Sequence, residues 1–329
     1  MKKCIAMILS LVMTLSLAAC GSSAPAATEA PAAETFKVAI IQQLDHSSLD
    51  EIRTAIETQL KALAAEKGIA IEISYDNGQN DTSMLTQIAT QVVADKVDMI
   101  IPIATLAAQY SVLAAENTGI PVVYAAISDP EGAGLTGLST VTGVSDALNT
   151  PFILDMMLAA QPDVKTVGLL YSTSEVNSEA PIAEAKAYLD AKGIAYLEKT
   201  GTTSGEIVEA AASLVGRVEA VFTPTDNVVM AAEASVAELL NADGIAHYTG
   251  ADSFVQSGAF TTCGVNYTEL GTKVGDMAFE ILNGGAIGEF VIMDGGIITV
   301  NTDTAAAIGV DYEIFNTMAN TLVTVTTAE

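Results

Sequence analysis

The chain has 329 residues, half of them apolar, and 40 acidic side chains against 13 basic ones give it a formal charge of −27. Such a field repels nucleic acid and anionic membrane surfaces, while the apolar half suffices for a large core, with a length that favours two domains. Three cysteines, and two histidines far apart in sequence (His46 and His247), are too few for a disulfide framework or a Cys- or His-based metal site, and no cofactor is expected.

Lys2 and Lys3 precede an apolar run from Ile5 to Leu17, too short for a reliable membrane span and read as a signal peptide over residues 1–19. The run ends in Leu17-Ala18-Ala19-Cys20, which resembles the bacterial lipobox, in which small residues admit the peptidase and Cys20 takes the lipid. Beyond Cys20, residues 21–35 are Gly, Ser, Ala, Pro, Thr and Glu with no large apolar side chain to pack, so residues 20–35 are expected to form the lipidated Cys and a flexible tether. Membrane contact would then be through the lipid on Cys20 alone, with an extracytoplasmic, monomeric domain beyond it.

From Phe36 onward short apolar runs alternate with amphipathic ones. Strands are predicted at Val38–Ile41, Ile71–Tyr75, Met99–Ile103, Val122–Ile127, Val167–Tyr171, Tyr196–Lys199, Ala220–Thr223 and Ala246–Thr249. Several are almost continuously apolar, as strands covered on both faces of a parallel sheet must be. Between the first two, Leu49, Ile52, Ile56, Leu60 and Leu63 recur at helical spacing, and Gly68 marks the helix end. Met84, Ile88, Val92 and Val93 repeat the pattern, as do Val229, Ala232, Val236 and Leu239. Strand and helix in alternation imply an α/β fold with right-handed crossovers. The beat breaks at Ser128–Ser145, rich in Gly, Thr and Ser, where a first hinge is expected. The fold expected is therefore two Rossmann-like lobes with parallel sheets joined by a hinge. Lobe 1 would span residues 36–147 with part of 265–295 returning to it, and lobe 2 residues 148–264 with part of 296–329.

Ligands of open parallel sheets bind beyond the carboxyl ends of the strands. Those ends supply the candidate ligand-binding residues Gln42, Asn77, Thr105, Ser128 and Asp129 in the first lobe, then Tyr171, Thr225, Asp226, Asn227 and Asp252 in the second; Asp45 and Asn177 join them from the segments that carry the resemblance given below. The same residue types are preferred helix N-caps, a role compatible with ligand contact. Arg53 and Arg217, the only arginines, fall within or at the end of predicted helices, and no Lys lies clearly in a strand-end loop. A neutral or zwitterionic ligand fits that pattern better than a phosphate or dicarboxylate. Its carboxylate would sit on helix N-termini, its ammonium on Asp226 or Asp252, and its apolar body against Tyr171, Tyr124 or Phe254. The Gly-rich 131–137 stretch lacks the Lys-Ser/Thr of a P-loop and the spacing of a dinucleotide fingerprint. His46 and Asp50 share a helix turn, but no G-x-S-x-G elbow supplies a nucleophile. Catalysis is not expected.

The strand ends carry a family resemblance. Gln42-Gln-Leu-Asp-His-Ser-Ser-Leu-Asp50, Asn77-Gly-Gln-Asn-Asp81, Ile103-Ala-Thr-Leu-Ala-Ala-Gln109, Ser128-Asp-Pro-Glu-Gly-Ala-Gly134, Val141-Thr-Gly-Val-Ser-Asp146, Tyr171-Ser-Thr-Ser-Glu-Val-Asn-Ser178 and Pro224-Thr-Asp-Asn227 together resemble the ABC transporter substrate-binding lipoproteins of the tryptophan/tyrosine uptake type, with a type I periplasmic-binding-protein fold. The similarity runs from about Val38 to Ile308. The chain departs from the family at Asp45-His46-Ser47 (usually Glu-His-Pro), Asn77-Gly78-Gln79 (usually Asn-Ala-Gln) and Leu106 (usually Pro), all beside the first-lobe pocket wall and so bearing on ligand identity. The resemblance implies capture of a small molecule, most simply an aromatic amino acid, for delivery to a permease powered by a separate ATPase subunit. A ligand sensor of the same fold and a nucleoside-binding lipoprotein are the alternatives.

Overall fold

The computed structural model describes residues 35–328. Cys20 and the tether up to residue 34 lie outside the described residues. Thr35, assigned to the tether from sequence, is the first residue of a strand.

The first sheet is built from β1 (Thr35–Gln42), β2 (Ala70–Asn77), β3 (Met99–Ile103), β4 (Val122–Ala125) and β5 (Val141–Ser145), with β11 (Val291–Ile292) added at its edge. Its order is β11-β5-β4-β3-β1-β2, parallel throughout. β1 shows why the apolar runs are continuous. Val38 and Ile40 face the core beneath helices α1 (Ser47–Lys67) and α10 (Tyr267–Leu282), whereas Ala39 and Ile41 pack with residues of α2 (Thr82–Ala94) and α3 (Thr105–Ala115). Period-two side chains thus find apolar cover on both faces. α1 ends on Gly68 in the left-handed region, φ 68°, whose N–H reaches back to Ala64 and Ala65. α10 lies so close to α1 that a Cβ at Gly271 would stand 2.5 Å from the Ile52 carbonyl oxygen.

The second sheet contains β6 (Thr166–Ser172), β7 (Ala195–Gly201), β8 (Ala220–Thr223), β9 (Ala246–Thr249), β10 (Thr261–Gly264), β12 (Ile297–Asn301) and β13 (Thr321–Val325), in the order β13-β12-β10-β9-β8-β6-β7. Among its helices are α4 (Thr150–Ala160), α6 (Ser204–Ala212), the short α7 (Asn227–Met230) and α9 (Asp252–Gln256). Cys263, on β10, is buried.

The chain crosses between the sheets three times, after β5, after β10 and after β11. Each crossing leaves the carboxyl end of a strand, so all three gather along the same edge of the cleft. This explains one departure from an all-parallel arrangement: β12 runs antiparallel to β10. Coming directly from β11 with no intervening helix, it enters the second sheet at the cleft end and must run away from it. A second departure concerns the Gly-rich stretch read as the first hinge. Residues 128–140 form a loop that leads back into β5 of the first sheet, and the crossing itself is residues 146–149. β4 also stops two residues before the predicted Ile127, because Ala126 takes a positive φ of 55°.

Candidate functional site

Both sheets reverse their winding direction beside the first strand of each lobe, between β1 and β3 and between β6 and β8. At such switch points the connecting loops diverge and leave a crevice. Here the two crevices face each other. The cavity between them measures about 30 Å³ and is lined by loops from both lobes. His46, Ser48 and Leu49 follow β1; Ala104 and Thr105 follow β3; Ala126 and Ser128 follow β4; Asp146 follows β5. From the second lobe come Thr225, Asp226, Asn227 and Met230 after β8 and Ala251, Ser253 and Phe254 after β9, while Tyr267 opens α10.

Two helices of the first lobe start at this cavity without a side-chain cap. α1 begins after His46 and α3 after Ala104, and neither N-cap side chain accepts a hydrogen bond from its helix. The opening N–H groups of a helix have no intrahelical acceptor and carry the positive end of its dipole. Of those on α3, the N–H of Leu106 is taken by Gln43 Oε1 at 2.9 Å. Leu106 stands where the resemblance expects proline, which has no N–H to give. The backbone is strained at this point: Ala104 has φ 74°, ψ 165°, a region nearly reserved for glycine, and Ala126 on the neighbouring loop is also left-handed.

Among the described residues, four side-chain hydrogen bonds draw the lobes together. Gln43 Nε2 donates to Glu175 Oε1 (2.9 Å), and Ser48 Oγ to Asp252 Oδ1 (3.1 Å). His46 Nε2 meets Asn227 Oδ1 at 3.2 Å, and the Ser128 and Thr225 hydroxyls are 2.8 Å apart. Asn227 also donates to Glu175 Oε2, so Gln43, Glu175, Asn227 and His46 form one polar chain across the cleft. Burial pushes the Glu175 carboxyl up to about 8, helped by the nearby Asp226. Burial likewise raises Asp146, although the Ser128 and Tyr267 hydroxyls pull the other way, and it raises Asp252 against the pull of Ser48. His46 is held below its ordinary value by desolvation and is neutral at pH 7.

Of the sequence-predicted residues, Thr105, Ser128, Thr225, Asp226 and Asn227 lie on the cavity. Asp252 and Asn177 stand just behind it, Asp252 bonded to Ser48 and Asn177 donating to the Thr225 carbonyl at 2.7 Å. The others point elsewhere. Gln42 turns into its own loop toward Leu44, Asp45 and Asp50. Asp45 is exposed and accepts from Tyr75; Asn77 and Asp129 accept from the N–H groups of Gln79 and Gly132 in their own turns. Tyr171 donates to Glu198 beside the edge strand β7, and Tyr124 is buried in the first-lobe core. Only Phe254 of the three aromatic candidates reaches the cavity.

Asp226 is on the wall but fully engaged. It is completely buried, and its oxygens accept from the N–H groups of Ser172, Val228 and Val229 and from the Ser178 hydroxyl. Asp146 has lighter duties, with Ser128 at 3.0 Å and Tyr267 at 3.4 Å. Sequence reasoning passed over Asp146, although the strand-end rule applied to β5 would have found it. Glu175 lies three residues past β6 and carried no such signal.

Two mostly parallel sheets with a cleft at their facing switch points define a two-lobed binding protein. The profile of the ABC transporter substrate binding proteins matches residues 37–317, and the chain belongs to that family. It is 32% identical over 278 residues to a tyrosine-binding protein of Clostridioides difficile (strain R20291), covering 82% of this chain and 80% of that one. Among solved structures, a domain from Streptococcus pneumonia in complex with L-Trp superposes with a TM-score of 0.81 at 28% identity, over 88% of this chain and 100% of that one. A ligand-free, open substrate-binding protein with adhesive properties from Clostridium difficile is 32% identical yet superposes at only 0.67, over 89% and 100%.

Proposed function

We propose that this protein captures a free aromatic amino acid between its lobes and delivers it to a permease served by a separate ATPase. The observation that carries the reading is the composition of the cavity wall. Two uncapped helix N-termini, a buried carboxyl at Asp146 and the apolar surfaces of Leu49, Met230, Phe254 and Tyr267 meet there, with no Lys or Arg among them. The α-carboxylate would lie on the opening N–H groups of α3, which hold an anion without a counter-charged side chain. The ammonium would lie on Asp146, beside the Ser128 hydroxyl, and its charge would favour the ionised carboxylate despite burial. Asp226 serves as support, bracing the β8–α7 turn that presents Thr225 and Asn227.

The ligand enters while the lobes are apart and is enclosed as the three crossings bend. Each cross-lobe hydrogen bond contributes only about 1 kcal/mol net, so contacts made by the ligand in the closed form decide the balance. The relatives' tyrosine and L-Trp support the ligand class. The lipid on Cys20 and an extracytoplasmic location complete the reading, and loss of membrane association in Cys20→Ser would test them.

A thermal-shift screen of residues 21–329 against amino acids, nucleosides and sugars tests the ligand class. A ligand at 100 times its Kd stabilises the folded state by about 2.7 kcal/mol. Shifts confined to Tyr, Trp or Phe support the proposal, and a response to nucleosides or sugars alone rejects it.

A further inference from the structure

Eleven buried side-chain N or O atoms among the described residues have no hydrogen-bond partner. Only two of them, His46 Nδ1 and Ser253 Oγ, belong to residues on the cavity wall, one from each lobe. An unpaired buried polar atom is costly, so a pair of them on facing walls of a binding cleft calls for a ligand group.

The chemistry of that group follows from the hydrogen bonds around it. Asn227 Nδ2 donates to Glu175 Oε2 at 2.8 Å, which fixes its amide so that the carbonyl oxygen faces His46. The contact at 3.2 Å therefore needs the proton on His46 Nε2. In the neutral ring this leaves Nδ1 as a lone pair, an acceptor with nothing to accept from. The Ser253 hydroxyl can donate and accept. A phenolic O–H satisfies both, donating to Nδ1 and accepting from Oγ. An indole N–H satisfies Nδ1 alone. A phenyl ring satisfies neither and leaves both atoms unpaired. Three other hydroxyls of the cleft differ in this respect, since Ser48, Ser128 and Thr225 are already paired across the lobes, and the Tyr267 hydroxyl is turned to Asp146.

Resting on the aromatic amino acid reading above, we propose that His46 and Ser253 form the specificity subsite that reads the ligand's ring-borne hydrogen-bonding group, selecting tyrosine over tryptophan and both over phenylalanine. The preference arises because the wrong ligand leaves buried polar atoms unmatched, which discriminates more strongly than a missing apolar contact.

Isothermal titration of the mature protein with Tyr, Trp and Phe tests this. Wild-type protein should bind Tyr at least about tenfold more tightly than Phe, with Trp between them. Ser253→Ala should bring Tyr down to the level of Trp and leave Trp and Phe within about threefold of wild type. His46→Gln can keep a donor toward Asn227 while removing the Nδ1 acceptor, and should bring Tyr and Trp toward Phe. Equal binding of Tyr and Phe by the wild type overturns the subsite while leaving the aromatic reading intact. Equal losses for all three ligands in both variants also overturn it, and would indicate that these atoms meet the ammonium common to every amino acid. Failure of all three ligands to bind wild-type protein overturns the subsite together with the ligand class. The wild-type ranking requires no variant, so a folding defect in His46→Gln does not shield the proposal.

Discussion

Asp226→Ala separates scaffold from ligand contact at the residue most exposed to that ambiguity. The substitution removes the side-chain cap of α7 from two N–H groups, at 3.0 and 2.9 Å, together with the acceptor for Ser172 N–H at 2.6 Å and the Ser178 hydroxyl at 2.7 Å. Loss of a helix cap costs about 1 kcal/mol. A buried donor left unpaired costs about 1–3 kcal/mol, and Ser178 recovers part of its share by rotating. The total comes to about 3–5 kcal/mol. At about 2.1 cal/mol/K of unfolding entropy per residue, 1 kcal/mol moves the midpoint of a chain of this size by about 1.5–2 °C, so the unliganded protein should melt about 5–8 °C lower. Differential scanning calorimetry of the ligand-free variant reads this directly. An unliganded midpoint within about 2 °C of wild type, combined with lost ligand binding, would refute the scaffold argument and make Asp226 the ammonium partner.

Glu175→Gln should abolish a pH dependence of stability. The folded-state value is raised from its ordinary range to about 8, so its favourable contribution is complete below about 4.5 and is lost as pH rises through 8. The difference in melting temperature, variant minus wild type, should therefore grow between pH 5 and 9, and a flat difference would contradict the burial argument. Asp146→Asn keeps the shape but not the charge, and should weaken amino acid binding about 10- to 100-fold with little change in the unliganded midpoint; titration calorimetry distinguishes this from a folding effect. Gly271→Ala places a methyl 2.5 Å from the Ile52 carbonyl and 2.7 Å from Ala55 Cβ. Overpacking there should cost about 1–3 kcal/mol in urea unfolding and leave the site chemistry intact. Wild-type stability would indicate that α1 and α10 can part at no expense.

The legible parts of the fold were those written in periodicity. All eight predicted strands correspond to observed ones: central strands covered on both faces are apolar throughout, as Val38–Ile41 and Met99–Ile103 are, whereas the edge strands β2 and β7 carry polar residues among the apolar ones. β12 running antiparallel to β10, and the return of β11 to the first sheet, had no periodic signature. Both depend on where a chain of short connections is obliged to re-enter. The candidate site was legible to the extent that strand ends converge. Thr105, Ser128, Thr225, Asp226 and Asn227 meet that rule and lie on the cavity, while Gln42, Asn77, Asp129 and Tyr171 meet the same rule and turn away. A strand end specifies position along the sheet but not which rotamer its neighbours leave open.

What the sequence determined by itself is the alternation of strand and helix, and with it two layered α/β lobes whose polar loops share one edge, since burial of apolar surface imposes that order locally. What only the tertiary structure decided is the meeting of atoms far apart in the chain: Gln43 with Glu175, His46 with Asn227, and Asp146 with Tyr267. Hydrogen bonds of that kind depend on angles and distances of about 3 Å; closure of the lobes brings the first two pairs within reach, and the packing of α10 on the first sheet brings the third.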